Sequence, residues 1–403
     1  MQFLQHILAL IFIVLLYFSI SKALECQLNN ANKFKVARTI RVDQSGKGDF
    51  KTIQNAIDSI PSNNDKWIRI LISPGHFREK VTIPANKPCI FLEGAGSKLT
   101  SIEWGDHMDT CDSATFTSSP DNIVAKGISF KNIYNIPSGP DAKKKVEPAL
   151  AVRIYGDKSA FYNCAFFGLQ DTLWDVQGRH YFYNCYIEGA VDFIFGSGQS
   201  IYEKCEINLT AGKYAPEYPN GYITAQGRNS SDDPSGFVFK YCVFTGSGKT
   251  YLGRAYGAYS RVIIYKSVLS DAILASGWDA WRYVHHEGNL IYVEADCKGP
   301  GANTSKRVPW LKKLGASQLK KFLNLSYIDK EGWIAKLPKD ETKKIPGESL
   351  FSFYSFITKK MQTWEFVLAS LGVDLQTFKG PYCVETTFDE KVTFFPFFSQ
   401  PVN

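Results

Sequence analysis

Two aspartates are the part of this 403-residue sequence best suited to chemistry. Asp171 lies in Gln170-Asp-Thr-Leu173, and Asp192, 21 residues later, begins Asp192-Phe-Ile-Phe-Gly196. Two carboxylates that lie close together cannot both ionise freely, so the pKa of one should rise while the other stays charged if a cation holds it. Such a pair suits acid/base catalysis combined with nucleophilic attack.

Whether the two aspartates meet depends on a repeat in the chain between them. Cys164, Cys185 and Cys205 end similar aromatic-rich segments and are 21 and 20 residues apart. Segments 239–242 and 262–265 look like the same unit after longer loops. A period of about 20 residues, with a strand in every repeat and no helices, predicts a solenoid of stacked parallel strands, a β-helix. Residues 21 apart then lie on adjacent coils, about 4.8 Å from each other.

Two polar neighbours fit such a pair. Gln170 can donate a hydrogen bond to an oxyanion, and Arg254, in Leu252-Gly-Arg254, can hold an ionised aspartate by a bidentate ion pair. Each residue alone also fits an ordinary structural role, such as a side-chain ladder between coils or a surface ion pair.

The rest of the repeat region predicts one helix and many short strands. Apolar spacing over residues 52–60 predicts a short amphipathic helix ended by Pro61. The β-rich runs are 67–72, 81–83, 89–92, 123–124 and 128–130. We interpret the cysteine ladder as packing of small buried side chains, with Cys205 and Cys242 as one candidate cross-link.

The ends of the chain differ from the repeat region. The apolar run 7–20, followed by Ser21-Lys22-Ala23, predicts a cleaved secretory signal over residues 1–23; an uncleaved anchor is the minority alternative. The solenoid is expected over 24–338, and 339–403 is an atypical C-terminal extension of unknown role. Glycosylation sequons begin at Asn208, Asn229, Asn303 and Asn324, which agrees with secretion.

Composition narrows the class of partner. The formal net charge of +7 favours a polyanion: nucleic acid, anionic lipid or an acidic polysaccharide. No basic cluster exceeds Lys143-Lys-Lys145, and a secretion signal argues against nucleic acid. No later segment approaches the ~20 apolar residues of a membrane span, and the absence of any C-x-x-C pair argues against a zinc site.

Several motifs in order resemble the signatures of plant pectin methylesterases (pectinesterases), over roughly residues 35–338. The chain looks like a short form, without an N-terminal inhibitor-like region. The motifs are Gly75-His-Phe-Arg-Glu79, Gln170-Asp-Thr-Leu173, Asp192-Phe-Ile-Phe-Gly196, Leu252-Gly-Arg254 and Gly277-Trp-Asp-Ala-Trp281.

The resemblance implies an all-β fold: a right-handed, single-stranded parallel β-helix (a pectin lyase-like solenoid) with a short N-terminal helix. It also implies hydrolysis of the methyl esters of homogalacturonan to demethylated pectin and methanol, in the cell wall and with no metal or other cofactor. We expect a secreted monomer whose partners are pectin and a proteinaceous pectinesterase inhibitor.

The resemblance also implies a role for each site residue. Asp192 is the nucleophile, Asp171 the acid and then the base, Gln170 the oxyanion donor, and Arg254 the cation that holds Asp192. The substrate-binding aromatic residues are Tyr256 and Trp278.

The sequence departs from the family pattern at two places. Pro148 replaces a glutamine expected to be a second oxyanion donor, and Glu147 cannot replace it while ionised. The expected Leu-Gly-Arg-Pro-Trp has Ala255 and Tyr256 at its end. The Pro148 substitution motivates an alternative, a catalytically weak β-helix that binds wall polysaccharide. A retaining glycoside hydrolase also suits two close carboxylates, although the motifs disfavour it.

Overall fold

A computed structural model describes residues 26–27, 34–136, 146–214 and 220–337. The predicted signal, 1–23, and the C-terminal extension, 339–403, lie outside the described residues. Within the described residues the chain forms 26 short strands in three sheets, and every strand except those at the sheet ends pairs in parallel with the strands one coil before and after it. This is the predicted right-handed parallel β-helix.

Each of the eight complete coils contributes one strand to each sheet, and β1 and β26 extend the first sheet at its two ends. The first sheet contains β1 (Val36–Val42), β2 (Trp67–Ile72), β5 (Ile90–Gly94), β8 (Ile123–Lys126), β11 (Ser159–Tyr162), β14 (Arg179–Tyr183), β17 (Gln199–Glu203), β20 (Gly236–Lys240), β23 (Arg261–Tyr265) and β26 (Ile291–Ala295). The second contains β3 (Gly75–Phe77), β6 (Thr100–Trp104), β9 (Ser129–Asn132), β12 (Ala165–Phe167), β15 (Tyr186–Gly189), β18 (Glu206–Leu209), β21 (Val243–Gly246) and β24 (Val268–Leu269). The third contains β4 (Val81–Ile83), β7 (Phe116–Ser118), β10 (Val152–Ile154), β13 (Leu173–Asp175), β16 (Ile194–Gly196), β19 (Gly221–Gln226), β22 (Thr250–Ala255) and β25 (Trp278–Asp279).

Helices are short and lie outside the repeat. The α-helices are α1 (Ile53–Asp58), α2 (Ala211–Tyr214) and α3 (Ala316–Leu323). The 3-10 helices are Trp281–Tyr283, Glu287–Asn289, Pro300–Ala302, Thr304–Lys306, Leu325–Tyr327 and Ile334–Lys336. Among the described residues, no helix has the length and apolar character needed to cross a bilayer.

The predicted N-terminal helix corresponds to α1, which ends two residues earlier than its apolar spacing indicated. The Thr52 side chain caps it by accepting a hydrogen bond from the backbone N–H of Asn55. The carboxylate of Glu79 accepts hydrogen bonds from the N–H groups of Ile53 and Gln54, at 2.8 and 2.9 Å. The last residue of the Gly75–Glu79 motif therefore anchors α1 to the first coils.

Aromatic side chains stack along the interior at one position per coil. Ring centroids are 5.1 Å apart for Phe161 and Phe182, 4.5 Å for Phe182 and Tyr202, and 4.6 Å for Tyr202 and Phe239. All four side chains are buried. Because each ring stacks on its equivalent in the next coil, this column fixes the register of the strands.

The buried cysteine ladder packs as free thiols. Cys164, Cys185, Cys205 and Cys242 are each buried and unbridged, so the candidate Cys205–Cys242 cross-link is wrong. The Cys242 thiol donates to the Tyr202 carbonyl at 3.3 Å, and its contact with the Cys205 thiol is a hydrogen bond and not a covalent bond. The one disulfide of the described residues joins Cys26 to Cys89 and ties the start of the chain to the first sheet.

Candidate active site

Asp171 and Asp192 occupy the same corner of two consecutive coils, between the second and third sheets. Leu173 pairs with Ile194, and Gln170 pairs with Val191, each with the offset of 21 residues that also separates the aspartates. Both aspartates have left-handed backbone conformations, with φ of 63° and 49°. Aspartate tolerates this region better than most residues, and such strained turns aim side chains at functional sites.

The two carboxyl groups are buried and have different surroundings. Asp171 is 9% exposed and Asp192 is 5% exposed. Burial, and then the negative charge of Asp192, raise the pKa of Asp171 to about 7. Burial also raises the pKa of Asp192, but the Arg254 guanidinium opposes that shift. Asp171 is therefore the group that holds a proton near neutral pH, and Asp192 the group that is paired with a cation.

Arg254 reaches the site from strand β22. Its Nε donates to Asp192 Oδ1 at 2.8 Å, and its Nη2 donates to Oδ2, which makes a bidentate pair. The pair is largely enclosed, with 18% of the Arg254 side chain and 8% of the Asp192 side chain exposed. Gly253, which precedes the arginine, lets β22 pack closely against the strand of the neighbouring coil, because a Cβ there would lie 2.0 Å from Thr224 Oγ1.

Two aromatic rings contact the Arg254 guanidinium. Its central carbon is 4.7 Å from the ring centroid of Tyr222 and 4.2 Å from that of Trp281. Tyr256 stacks on Trp281 with centroids 5.3 Å apart and is half exposed. Tyr256 therefore presents an exposed aromatic face next to the ring that contacts Arg254, and its role in binding a sugar ring stays a prediction.

The structure corrects the prediction for Trp278. This side chain is only 1% exposed, stacks on Tyr292 at 4.5 Å and donates from Nε1 to Glu294 at 2.9 Å. A side chain that is enclosed in the core cannot contact a polysaccharide. Trp281, the second tryptophan of the same Gly277–Trp281 motif, is the one whose ring contacts the Arg254 guanidinium. The motif indicated an aromatic residue at the site, but its spacing alone did not show which of its two tryptophan rings points into the core and which points outward.

Sequence reasoning also missed Thr110. Its hydroxyl donates to Asp171 Oδ2 at 3.5 Å from a loop that precedes the active coils by two turns of the solenoid. This contact favours the ionised form of Asp171 and opposes part of the pKa increase caused by burial. No spacing rule connects Thr110 to residue 171, because the loop lies outside the repeat.

Comparison with known proteins shows the family of this chain. The sequence profile of the Pectinesterase family matches residues 39–331. "Probable pectinesterase 29" of Arabidopsis thaliana is 51% identical over 298 residues, which cover 74% of this chain and 89% of the relative. "Probable pectinesterase 55" of the same plant is 52% identical, covering 74% and 90%. The chain belongs to the pectinesterase family. It is an enzyme of the carboxylic ester hydrolase class.

Solved structures support the same assignment. A carrot pectin methylesterase is 29% identical with a TM-score of 0.68, covering 76% of this chain and 98% of the carrot chain. An Aspergillus niger pectin methylesterase is 25% identical with a TM-score of 0.63 and the same coverage. Among the described residues of this pectinesterase, no group of three or more His, Cys, Asp or Glu side chains is arranged to hold a metal ion.

The two candidate oxyanion positions of this pectinesterase lie one coil apart. Gln170 is half-buried beside Asp171, and its carbonyl accepts from the N–H of Ala149. Pro148 immediately precedes Ala149 and carries no side-chain donor. The neighbouring Glu147 carboxylate accepts a hydrogen bond from the Tyr134 hydroxyl at 3.3 Å. The second donor position of the pattern is therefore occupied by an apolar ring in this chain.

Replacing Asp171 with Asn should stabilise this pectinesterase at alkaline pH. The pKa of Asp171 is about 7 in the folded chain, against 3.8 for an ordinary aspartate. Between these values the folded chain binds more protons than the unfolded chain, so its stability falls as pH rises. The full cost, about 4 kcal/mol at roughly 1.4 kcal/mol per pH unit, is present above pH 7 and absent below pH 4.

Thermal unfolding of wild type and Asp171→Asn at pH 8 and pH 4 measures this cost. We expect the variant to have a higher melting temperature than the wild type at pH 8 and a similar melting temperature at pH 4. Asp271→Asn, at an exposed position, is the matched control and should change neither value. A variant that is equally stabilised at both pH values would contradict a raised pKa at Asp171.

Proposed function

We propose that this chain hydrolyses the methyl esters of homogalacturonan to free carboxylate and methanol. The carrying observation is the pair of buried carboxyl groups, one with its pKa raised to about 7 and the other held by a bidentate arginine. The relatives and solved structures named above carry pectinesterase or pectin methylesterase in their names, which supports pectin as the substrate. The net charge of +7 also suits a polymer that becomes anionic as it is demethylated.

In the first half-reaction, an oxygen of ionised Asp192 attacks the ester carbonyl carbon. The Gln170 amide donates to the oxyanion of the tetrahedral intermediate. The bond to the methoxy oxygen then breaks while Asp171 transfers its proton to that oxygen, and methanol leaves. The product is an anhydride between Asp192 and the galacturonic acid carboxyl group, with Asp171 now ionised.

In the second half-reaction, water attacks the carbonyl carbon of the anhydride. Asp171 accepts one proton from that water, and the bond to the Asp192 oxygen breaks. The galacturonic acid carboxyl group that forms loses the second proton of the water to solvent and leaves as a carboxylate. Asp192 is ionised again and Asp171 is protonated again, which returns both groups to their starting states. Arg254 stays paired with Asp192 and keeps it charged and oriented.

Methanol release from highly methylated pectin tests this function. We expect turnover by the wild type, without new reducing ends. Chain cleavage without methanol would instead favour a glycoside hydrolase, for which two close carboxyl groups are also suitable. Retention on pectin without either product would favour the wall-binding alternative, in which the fold binds the polymer but is catalytically weak.

Replacing Pro148 with Gln should raise turnover of methylated pectin. The amide would restore a second donor for the oxyanion, and one such donor contributes on the order of 100-fold where it is well placed. We expect kcat to increase by roughly tenfold or more, with a smaller change in KM. Pro148→Met is the matched control, since it has similar length and releases the proline ring but supplies no donor. An equal increase in both variants would assign the effect to the backbone and contradict the missing-donor explanation.

Secretion, glycosylation and interaction partners belong to the same proposal. The predicted signal sequence and the four sequons support an extracellular, wall-associated glycoprotein. Asn229, Asn303 and Asn324 are exposed, whereas Asn208 lies within β18 and donates to the Tyr186 hydroxyl at 2.8 Å. The first three are therefore the better acceptors for a glycan. We also propose a monomer that a proteinaceous pectinesterase inhibitor can bind.

A further inference from the structure

We propose that Asp279 is a positioning residue that fixes the active-site arginine through two aromatic rings. Its side-chain carboxylate accepts two hydrogen bonds. One oxygen, Oδ1, accepts the backbone N–H of Trp281 at 2.8 Å, and the other, Oδ2, accepts the hydroxyl of Tyr222 at 2.9 Å. Trp281 and Tyr222 are the two residues whose rings contact the Arg254 guanidinium.

The topology explains how one carboxylate reaches both rings. Asp279 is the last residue of β25 and pairs in register with Arg254 of β22. Tyr222 lies in β19, on the other side of β22, and its ring is stacked on that of Tyr251 at 5.2 Å. The carboxylate therefore bridges from the strand after Arg254 to the strand before it. This arrangement limits the directions in which the guanidinium can move.

The backbone of Trp281 gives a second, independent observation. Its φ is 48°, in the left-handed region that a bulky residue rarely adopts. Such a conformation persists only when surrounding contacts impose it. The Asp279 side chain imposes it by closing a tight turn onto the Trp281 N–H, and the turn presents the indole ring to Arg254.

The inference extends the proposed function, because it assigns a cause for the orientation of the arginine that holds the nucleophile. The residues after Arg254 are Ala255 and Tyr256, so no proline restricts the backbone immediately after the arginine. A well-held guanidinium keeps both hydrogen bonds to Asp192 throughout the reaction.

Asp279→Ala, Asp279→Asn and Tyr222→Phe test the inference through kcat, KM and the pH profile. Asp192 faces two charged or titratable groups, Arg254 and Asp171, and ionises at lower pH when Arg254 is well placed. We expect Asp279→Ala to lower kcat by about tenfold and to move the acid limb of kcat/KM to higher pH. Asp279→Asn should recover part of this loss, because an amide oxygen still accepts the Trp281 N–H, and Tyr222→Phe should fall between them.

A merely structural role for Asp279 predicts a different result. Activity would then fall only in proportion to the folded fraction, and the acid limb would not move, which would overturn the inference. Asp271→Ala, at an exposed turn, is the matched control and should leave the profile unchanged. If the wild type releases methanol and Asp279→Ala matches it, the inference fails while the proposed function stands.

A double-mutant cycle on stability keeps the test independent of the reaction. The free energies of unfolding are compared for Asp279→Ala, Arg254→Ala and the double variant by denaturant titration. Coupling through the rings predicts that Asp279→Ala costs clearly less in the Arg254→Ala background than in the wild type. Additive costs would overturn the inference even if no substrate were turned over.

Discussion

Replacing Asp192 with Asn should abolish methanol release, with an expected loss of kcat on the order of 10⁴-fold or more. The amide that replaces the carboxylate is neutral and a poor nucleophile, so the covalent anhydride cannot form. The substitution also leaves the Arg254 guanidinium without the anion that accepts its Nε and Nη2 hydrogen bonds. Direct attack by water without the covalent intermediate accounts for any residual rate.

The measurement is methanol formed from highly methylated pectin at several enzyme concentrations, with a mass spectrum of each preparation. The spectrum excludes deamidation of the introduced asparagine back to aspartate, which would restore activity in a small fraction of molecules. Asp271→Asn is the matched control and should retain wild-type turnover. Methanol release by Asp192→Asn within tenfold of the wild type would disprove a nucleophilic role for this residue. It would direct attention to water activated by Asp171.

The repeat was predictable from sequence because equivalent positions of successive coils carry similar residues at a regular spacing. Cys164, Cys185 and Cys205 mark equivalent positions, and the strands they follow stack in the expected register. The same period placed Asp171 and Asp192 at one corner of adjacent coils. Coils with longer loops, such as the loop between β18 and β19, depart from the period of about 20 residues. The positions of residues in those loops could be assigned only from the structure.

The parts of the site that were missed lie outside that period. Thr110 lies in a loop and contacts Asp171, and Trp281 begins a short 3-10 helix and contacts Arg254; no periodicity encodes either contact. The prediction named Trp278 where the structure has Trp281 at the site, and the reason is local. Trp278 belongs to a strand and points inward, whereas the turn at Asp279 changes the direction of the chain before Trp281. Similarly, the thiol orientations that exclude a Cys205–Cys242 bond depend on side-chain rotamers that a sequence does not report.

Replacing Arg254 with Ala should both slow the reaction and narrow its pH range. Without the guanidinium, Asp192 is a buried carboxylate beside Asp171, and burial raises its pKa without opposition. The pKa of Asp171 also rises, because the Arg254 charge lowers it, but the pKa of Asp192 rises further because Asp192 loses a hydrogen bond as well as the charge. The acid limb of the profile therefore approaches the alkaline limb that Asp171 sets. We expect kcat to fall by about 10²- to 10³-fold, as for loss of a well-placed electrostatic group.

The same variant should lose stability mainly at high pH, because an acid whose pKa is raised on folding destabilises the folded chain once it ionises. Removing one partner of a buried ion pair costs about 3–5 kcal/mol while the remaining charge persists. Unfolding at pH 8 and pH 4 measures the difference, and Arg254→Lys tests geometry, since a lysine keeps the charge but not the bidentate contact.

A pH profile for Arg254→Ala that coincides with the wild type would mean that Asp192 is kept ionised by other groups. In Arg254→Lys, a partial recovery of kcat and an acid limb closer to that of the wild type would measure the contribution of the positive charge. The loss of kcat that remains would measure the contribution of the bidentate contact.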